Sequence, residues 1–379
     1  INSPTKSLLF TRLSFAVGFV GHMKTGRSRK ARGLWLLFLL ISCSFLLLLP
    51  PWLTISGVFH PPEPSPFLLH ELPWLKLAEP HNGTFANACR YPLTNRTDPP
   101  YLLVALIFNR VHGSDLFGIG PYECRQWIEY MLYAGVEHIF WYDTAHNNAE
   151  TLEVYIRPYI RARLLTYVRF HQLFPNSLSE SFHFEQDNSY RHFLAHFAHR
   201  GKWVVQIDVD EYPFSSADQS SCFLHRLIRE YEVRSPDTSQ ILLQCMIFAG
   251  NPRGDLVNGW VIERYQRRKY ETEGVEKGYQ SRQKPIYRAD LCKGIVSENP
   301  HGVWMGEGKT VVASDERIRM NHYWGARESG FKPDTRESTA MLVSDSSIQP
   351  IASIIKKVTG LVKKESDTMG VFLRSMVQW

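Results

Sequence analysis

Residues 202–214 have the sequence Lys202-Trp-Val-Val-Gln-Ile-Asp-Val-Asp-Glu-Tyr-Pro-Phe214. The β-branched and aromatic run from Trp203 to Ile207 predicts a buried strand, because such side chains fit a pleated surface that is covered on both faces. Three acidic residues, Asp208, Asp210 and Glu211, follow at once. If the strand continues through them, Asp208 and Asp210 project from one face and Glu211 projects from the other.

This pair of aspartates lies at the predicted carboxyl end of a strand, where open α/β sheets bind their ligands. Two carboxylates so close together repel each other unless a cation lies between them, and oxygen ligands favour Mg²⁺ or Mn²⁺. The pattern therefore predicts a metal ion that holds a diphosphate. The alternative interpretation is a strand that runs into an acidic turn, because Asp-x-Asp occurs by chance in many chains.

The segments on either side alternate between strand and helix patterns, which predicts an α/β domain with a parallel sheet. Strands are predicted at 101–108, 136–142, 162–170, 203–207, 240–248 and 284–289. Helices are predicted from Pro121 to a stop at Gly135, and at 148–160, 184–200 and 220–231.

The charge of the chain is concentrated at its N-terminus. The 379 residues have a formal net charge of +6, and residues 1–32 hold seven Lys or Arg and no acidic residue. The rest is close to neutral, which disfavours a nucleic-acid partner, because phosphate binding needs a basic face on the folded domain.

An apolar run from Leu34 to Leu49 follows the basic tail directly. About 20 apolar residues cross a bilayer, and a flank of Lys and Arg stays cytoplasmic. Residues 33–55 are therefore predicted to be a single transmembrane anchor that places the rest of the chain in a lumen. The alternative is a cleaved signal peptide, whose apolar core is shorter, about 7–15 residues.

The remaining organisation follows from composition. Asn82 and Asn95 begin glycosylation sequons in a Pro-rich stretch, as expected of a lumenal stem. Five cysteines beyond the anchor allow two disulfides and one thiol. The predicted parts are a basic tail at 1–32, with 1–22 expected to be upstream translation or a gene-model artefact, the anchor at 33–55, a stem at 56–100, a folded domain at 101–345 and a C-terminal extension at 346–379.

Five blocks in this order together resemble glycosyltransferase family 92, whose members are type II membrane enzymes with a GT-A-like domain, a Rossmann-like mixed sheet flanked by helices. The blocks are Glu123–Tyr130, Gly135–Asp143, Lys202–Tyr212, Lys284–Arg288 and Asn321–Tyr323.

The resemblance implies roles for five residues. Asp208 and Asp210 would bind Mn²⁺, or Mg²⁺, together with the diphosphate of the donor. His322 would complete the coordination of the metal ion. Lys284 and His301 would contribute to the binding of the donor.

The resemblance also implies the reaction, which is transfer of a hexose, with galactose favoured, from a UDP-sugar to a glycan hydroxyl with inversion. A carboxylate base is then needed, and Asp255, Glu263 and Glu298 are the candidates. The expected location is the Golgi membrane with the catalytic domain in the lumen, and a homodimer is left open. Two alternatives remain, a non-catalytic membrane-anchored glycan-binding protein and a phosphatase with an Asp nucleophile.

Overall fold

A computed structural model describes residues 89, 99–112, 119–147, 150–175, 182–250, 259–269, 283–296, 299, 301–326 and 342–359. The predicted tail, the predicted anchor and both sequons lie outside these residues. Within the described part, no helix combines the length and the hydropathy that crossing a bilayer requires.

Strands and helices alternate along the first half of the domain, and strands predominate in the second half. The strands are β1 Tyr101–Asn109, β2 His138–Asp143, β3 Leu165–Arg169, β4 Gly201–Gln206, β5 Glu211–Phe214, β6 Thr238–Ala249, β7 Arg267–Lys269, β8 Lys284–Arg288, β9 Cys292–Ile295, β10 Val303–Met305, β11 Lys309–Val312, β12 Arg319–His322 and β13 Leu342–Ser344. The α-helices are α1 Pro121–Ala134, α2 Glu153–Arg161, α3 Phe170–Leu173, α4 Phe182–His196, α5 Phe223–Arg234, α6 Val261–Arg264 and α7 Gln349–Thr359. The described residues also form two 3₁₀ helices, Ala198–Arg200 and Trp324–Ala326.

A curled, mixed sheet forms the centre of the fold. Strands β3, β2, β1 and β4 are neighbours in this order and run parallel, as the alternation of strands and helices predicted. Beyond β4 the direction changes, because β8 is antiparallel to both β4 and β6. Strand β12 lies between β6, to which it is parallel, and the short β5, to which it is antiparallel. The result is a mixed α/β fold with flanking helices.

Both faces of the sheet are buried. On β1, Leu103, Ala105 and Ile107 belong to one hydrophobic cluster, which also contains residues of α1, α5 and α7. Val104 and Leu106 point the other way, into a second cluster that contains residues of α4 and the β9–β10 hairpin. A strand that alternates between two apolar environments has a continuous apolar sequence, which explains why 101–108 lacks polar side chains.

The end of α1 and the start of α5 are held together. Helix α1 stops at Gly135, as predicted, because the chain there adopts a left-handed conformation with φ of 114°. Cys89 and Cys222 form a disulfide, and the backbone N–H of Cys222 donates to the carbonyl of Tyr133 at 2.8 Å. The other described cysteines are not disulfide-bonded. The described residues therefore contain one of the two disulfides that the cysteine count allows.

Candidate active site

The acidic residues lie in a turn and not in a strand. Strand β4 ends at Gln206, the chain turns over 207–210, and Glu211 begins β5. The backbone N–H of Glu211 donates to the carbonyl of Asp208 at 3.1 Å, and the N–H of Asp208 donates to Oε2 of Glu211 at 2.8 Å. The predicted strand geometry, with Glu211 on the face away from the two aspartates, is therefore wrong. The turn folds Glu211 back to Asp208.

Strand β12 brings a histidine to this turn. In its pairing with β5, His322 lies opposite Glu211, and the N–H of Tyr323 donates to the carbonyl of Asp210 at 2.7 Å. This register places Nε2 of His322 at 3.1 Å from Oδ2 of Asp210. The structure thus brings together two of the three residues that were predicted to bind a metal ion, although 112 positions separate them.

His322 is buried among groups that favour its charged form. Its Nδ1 lies 3.6 Å from Oε1 of Glu211 and 3.6 Å from Sγ of Cys245. Burial alone would lower the pKa of His322, but the Asp210 carboxylate outweighs burial, and contacts with Cys245 and Glu211 add to it, so the pKa rises to about 10. The contact with Asp210 thus favours the charged form of His322.

Lys284, the first residue of β8, is fully buried beneath the acidic turn. Its Nζ lies 2.9 Å from Oδ2 of Asp208 and 3.1 Å from Oε2 of Glu211. Burial opposes the charge on the amine, but these two carboxylates outweigh burial and raise the pKa of Lys284 above its usual value. The predicted donor-binding lysine therefore faces protein carboxylates in this structure.

His301 is half-buried in the electrostatic field of the same cluster. Burial and the positive charge of Lys284 lower the pKa of His301 to about 4, against a smaller opposite effect of Asp208. Its Nδ1 is buried, and it has no hydrogen-bond partner among the described residues. A neutral ring with an unsatisfied nitrogen beside Asp208 and Lys284 is suited to a polar ligand, because a buried polar atom normally has a partner.

Of the three candidate bases, Glu263 lies among the described residues. Glu263 is engaged on both oxygens, because Oε2 accepts the backbone N–H of Trp260 at 2.9 Å and Oε1 lies 2.5 Å from Nζ of Lys356. These contacts hold the start of α6 against α7. Asp255 and Glu298 lie outside the described residues.

A second polar cluster lies where β2 and β3 end, at the same edge of the sheet as the acidic turn. Asp143 accepts hydrogen bonds from the backbone N–H of Ala145 and from the hydroxyl of Tyr167. The rings of His146 and His171 stack with centroids 4.4 Å apart, and Nε2 of His171 lies 3.5 Å from Oε1 of Glu185. The strand-end position of Asp143 was visible in the sequence. The pairing of His171 with Glu185 had no sequence signal, because it depends on how α4 packs.

The predicted metal site has part of the chemistry that a divalent cation needs. Asp210 and His322 present an oxygen and a nitrogen, donor types that Mn²⁺ accepts, while the described carboxylate contact of Asp208 is with Lys284. No group of three or more His, Cys, Asp or Glu side chains that could hold a metal ion occurs among the described residues.

The fold and the site together define the class of the protein, an α/β domain with a buried polar cluster at the carboxyl edge of its sheet. The family model described as Glycosyltransferase family 92 matches residues 123–358, and the chain belongs to this family. Membership supports glycosyltransferase activity and disfavours the phosphatase alternative. No curated protein sequence matches the chain.

Two solved structures show a weak overall likeness. The first is CMP:2-keto-3-deoxy-manno-octonic acid synthetase in complex with CTP, which is 11% identical over 50% of this chain and 75% of that one, with a TM-score of 0.25. The second is 4-diphosphocytidyl-2C-methyl-D-erythritolsynthase from Anaerococcus prevotii DSM 20548, 9% identical over 68% of this chain and 99% of that one, with a TM-score of 0.27. At these scores neither likeness bears on function.

Proposed function

We propose that this glycosyltransferase transfers a hexose, with galactose favoured, from a UDP-sugar to a glycan hydroxyl in a metal-dependent reaction with inversion. Family membership supports the glycosyl transfer. The observation that supports the metal dependence is the contact of Asp210 with His322 at 3.1 Å, which pairs an oxygen and a nitrogen donor at the edge of the sheet. The GT-A-like description of the domain belongs to the same proposal.

The residues of the cluster have distinct tasks in this reaction. Asp210 and His322 would hold Mn²⁺ or Mg²⁺, and a cation bound there neutralises the charge that builds on the departing diphosphate. His322 would bind the ion through its neutral imidazole, as metal-ligating histidines do. Asp208 and His301, which interact electrostatically, would orient the donor.

The base that deprotonates the acceptor is one of the three candidate carboxylates in this proposal. Because Glu263 is engaged by the backbone of α6 and by Lys356, Asp255 and Glu298 become the stronger candidates. The remaining proposals are a single-pass anchor at 33–55, glycans on Asn82 and Asn95, and a Golgi location with the catalytic domain in the lumen. The anchor and both glycan sites lie outside the described residues.

The test is a screen of UDP-sugars against glycan acceptors with the purified full-length chain, with and without Mn²⁺. We expect Mn²⁺-dependent transfer by the wild type and none by Asp210→Asn. Asp290→Asn is the matched control, because the exposed carboxylate of Asp290 forms an ion pair with Arg288. Arg288 ends β8, whereas Lys284 begins it. Metal-independent transfer, or wild-type transfer by Asp210→Asn, would contradict the metal role. A wild type that binds the donor and never transfers it would instead favour the non-catalytic alternative.

A further inference from the structure

Two charged residues of the cluster have little access to a donor. Glu211 and Lys284 are both fully buried, and Nζ of Lys284 lies 3.1 Å from Oε2 of Glu211. A buried ion pair of this kind is costly to desolvate and is often no more stabilising than an apolar pair of the same volume. Stability alone is therefore a weak reason for its presence, and its neighbours suggest another.

The pair contacts both halves of the candidate site. On one side, Lys284 lies 2.9 Å from the carboxylate of Asp208, and Glu211 accepts the backbone N–H of the same residue at 2.8 Å. On the other side, Oε1 of Glu211 lies 3.6 Å from Nδ1 of His322, while Nε2 of the same ring faces Asp210. The pair thus joins the acidic turn to β12.

The backbone explains why Glu211 reaches both sides. Glu211 is the first residue of β5, and in the pairing of β5 with β12 it lies directly opposite His322. It also closes the turn that begins at Asp208. Lys284 enters from a third strand, β8, which pairs with β4 just before the turn.

We propose that Glu211 and Lys284 are positioning residues, which fix Asp208 and His322 in the geometry that binds the donor. This inference rests on the proposed function, because it concerns the same site. The two residues act through their neighbours and do not contact the donor. Partners that orient metal ligands in this way typically change metal affinity by about 10–100-fold when they are removed.

The experiment uses the full-length chain and the variants Glu211→Gln and Lys284→Met. Lys202→Met is the matched control, because Lys202 forms an ion pair with Glu232 at 2.7 Å near the opposite end of the neighbouring strand. Three quantities are measured, namely the Mn²⁺ affinity without donor, the UDP affinity with and without Mn²⁺, and the imidazole ¹⁵N resonances of His322 in metal-free protein, assigned with His322→Gln.

We expect Glu211→Gln to shift the His322 resonances and to weaken Mn²⁺ binding about 10-fold. The control Lys202→Met should behave like the wild type in both measurements. Unchanged resonances and unchanged Mn²⁺ affinity in Glu211→Gln would overturn the proposal. So would a Lys284→Met variant that loses UDP affinity equally with and without Mn²⁺, because this outcome indicates direct contact with phosphate.

The design separates this inference from the proposed function. If the wild type binds neither Mn²⁺ nor UDP, the proposed function fails, while the His322 resonances still decide whether Glu211 positions the ring. If Lys284→Met does not fold, the double variant Lys284→Met/Glu211→Gln, which removes both charges, takes its place. Wild-type resonances in a folded double variant would count against the proposal.

Discussion

Two buried histidines at opposite ends of the sheet, His322 and His138, have pKa values that are shifted in opposite directions. At the carboxyl end, the pKa of His322 rises to about 10, because Asp210 outweighs the effect of burial. At the amino end of β2, burial, together with the positive charge of Arg200, lowers the pKa of His138 to about 4. The partners of His138 are neutral, namely the carbonyl of Arg163 at 3.1 Å and the hydroxyl of Thr166 at 2.8 Å.

This difference in pKa distinguishes the candidate active site around His322 from the hydrophobic core around His138. Burial, reinforced by the positive charge of Arg200, disfavours the charged form of His138, because a low-dielectric surrounding destabilises a charge that has no anionic partner. A buried positive charge persists only where the chain provides partners for it, as Asp210 and Glu211 do for His322 at the other end. We expect substitutions at the carboxyl end to affect activity and substitutions at the amino end to affect stability.

The largest expected effect is that of His322→Gln. This variant should lower kcat/KM for hexose transfer by roughly 100-fold or more, a loss typical of groups that stabilise developing charge. His138→Gln should leave transfer unchanged, because His138 lies at the other end of the strands. Steady-state kinetics with a UDP-sugar and Mn²⁺ measures both. Equal losses of kcat/KM in the two variants would show that the two ends of the strands do not differ in their contribution to activity.

Removal of the disulfide tests the amino end. A Cys89→Ser/Cys222→Ser variant should lose about 2–4 kcal/mol of unfolding free energy, because the unfolded chain gains freedom. The bond lies beside Gly135, close to the start of β2, so the affinity for UDP should stay at the wild-type value. Urea denaturation and UDP titration are the measurements, and Cys292→Ser, at a cysteine outside any disulfide, is the control. Weaker UDP binding in the double variant would contradict the prediction.

Acid should destabilise the protein through His138. The unfolded imidazole takes up a proton near pH 6.5, and the folded one does so only near pH 4. Between these values the unfolded state binds more protons, so stability is lost as the pH falls, by about 1 kcal/mol at pH 5.5 from this group alone.

The measurement is the free energy of unfolding in urea at pH 7 and at pH 5.5. His138→Gln should reduce the pH-dependent loss by about 1 kcal/mol relative to the wild type. His225, whose pKa burial also lowers to about 4, contributes in the same direction and is unchanged in both proteins. An identical loss in the two proteins would show that His138 titrates normally.

The smallest effect concerns charge at the surface. Arg226 pairs with Asp218 at 2.6 Å, but both side chains are more than a third exposed. Arg226→Ala should therefore cost only about 0.5 kcal/mol, the usual value for an exposed pair, and should leave transfer unchanged. A loss of several kcal/mol in thermal or urea denaturation would show that burial is not what distinguishes the cluster at Lys284.

Local patterns were enough to predict much of the scaffold. The continuous apolar run of β1 and the stop of α1 at Gly135 agree with the structure, because each depends on neighbours within a few residues. The boundaries were less accurate, and the predicted helix 184–200 ends as an α-helix at His196. The sequence also marked Asp208 and Asp210 as unusual, because charge follows an apolar strand so abruptly.

The arrangement of the cluster was decided by tertiary structure. The turn over 207–210 brings Glu211 back to Asp208, whereas an ideal strand would have separated them. The contact of Lys284 with Asp208 spans 76 positions, and that of His322 with Asp210 spans 112. Such contacts follow from the pairing of β8 with β4 and of β12 with β5. Sequence periodicity predicts which face of a strand is buried, but it does not predict which distant strand pairs with that strand.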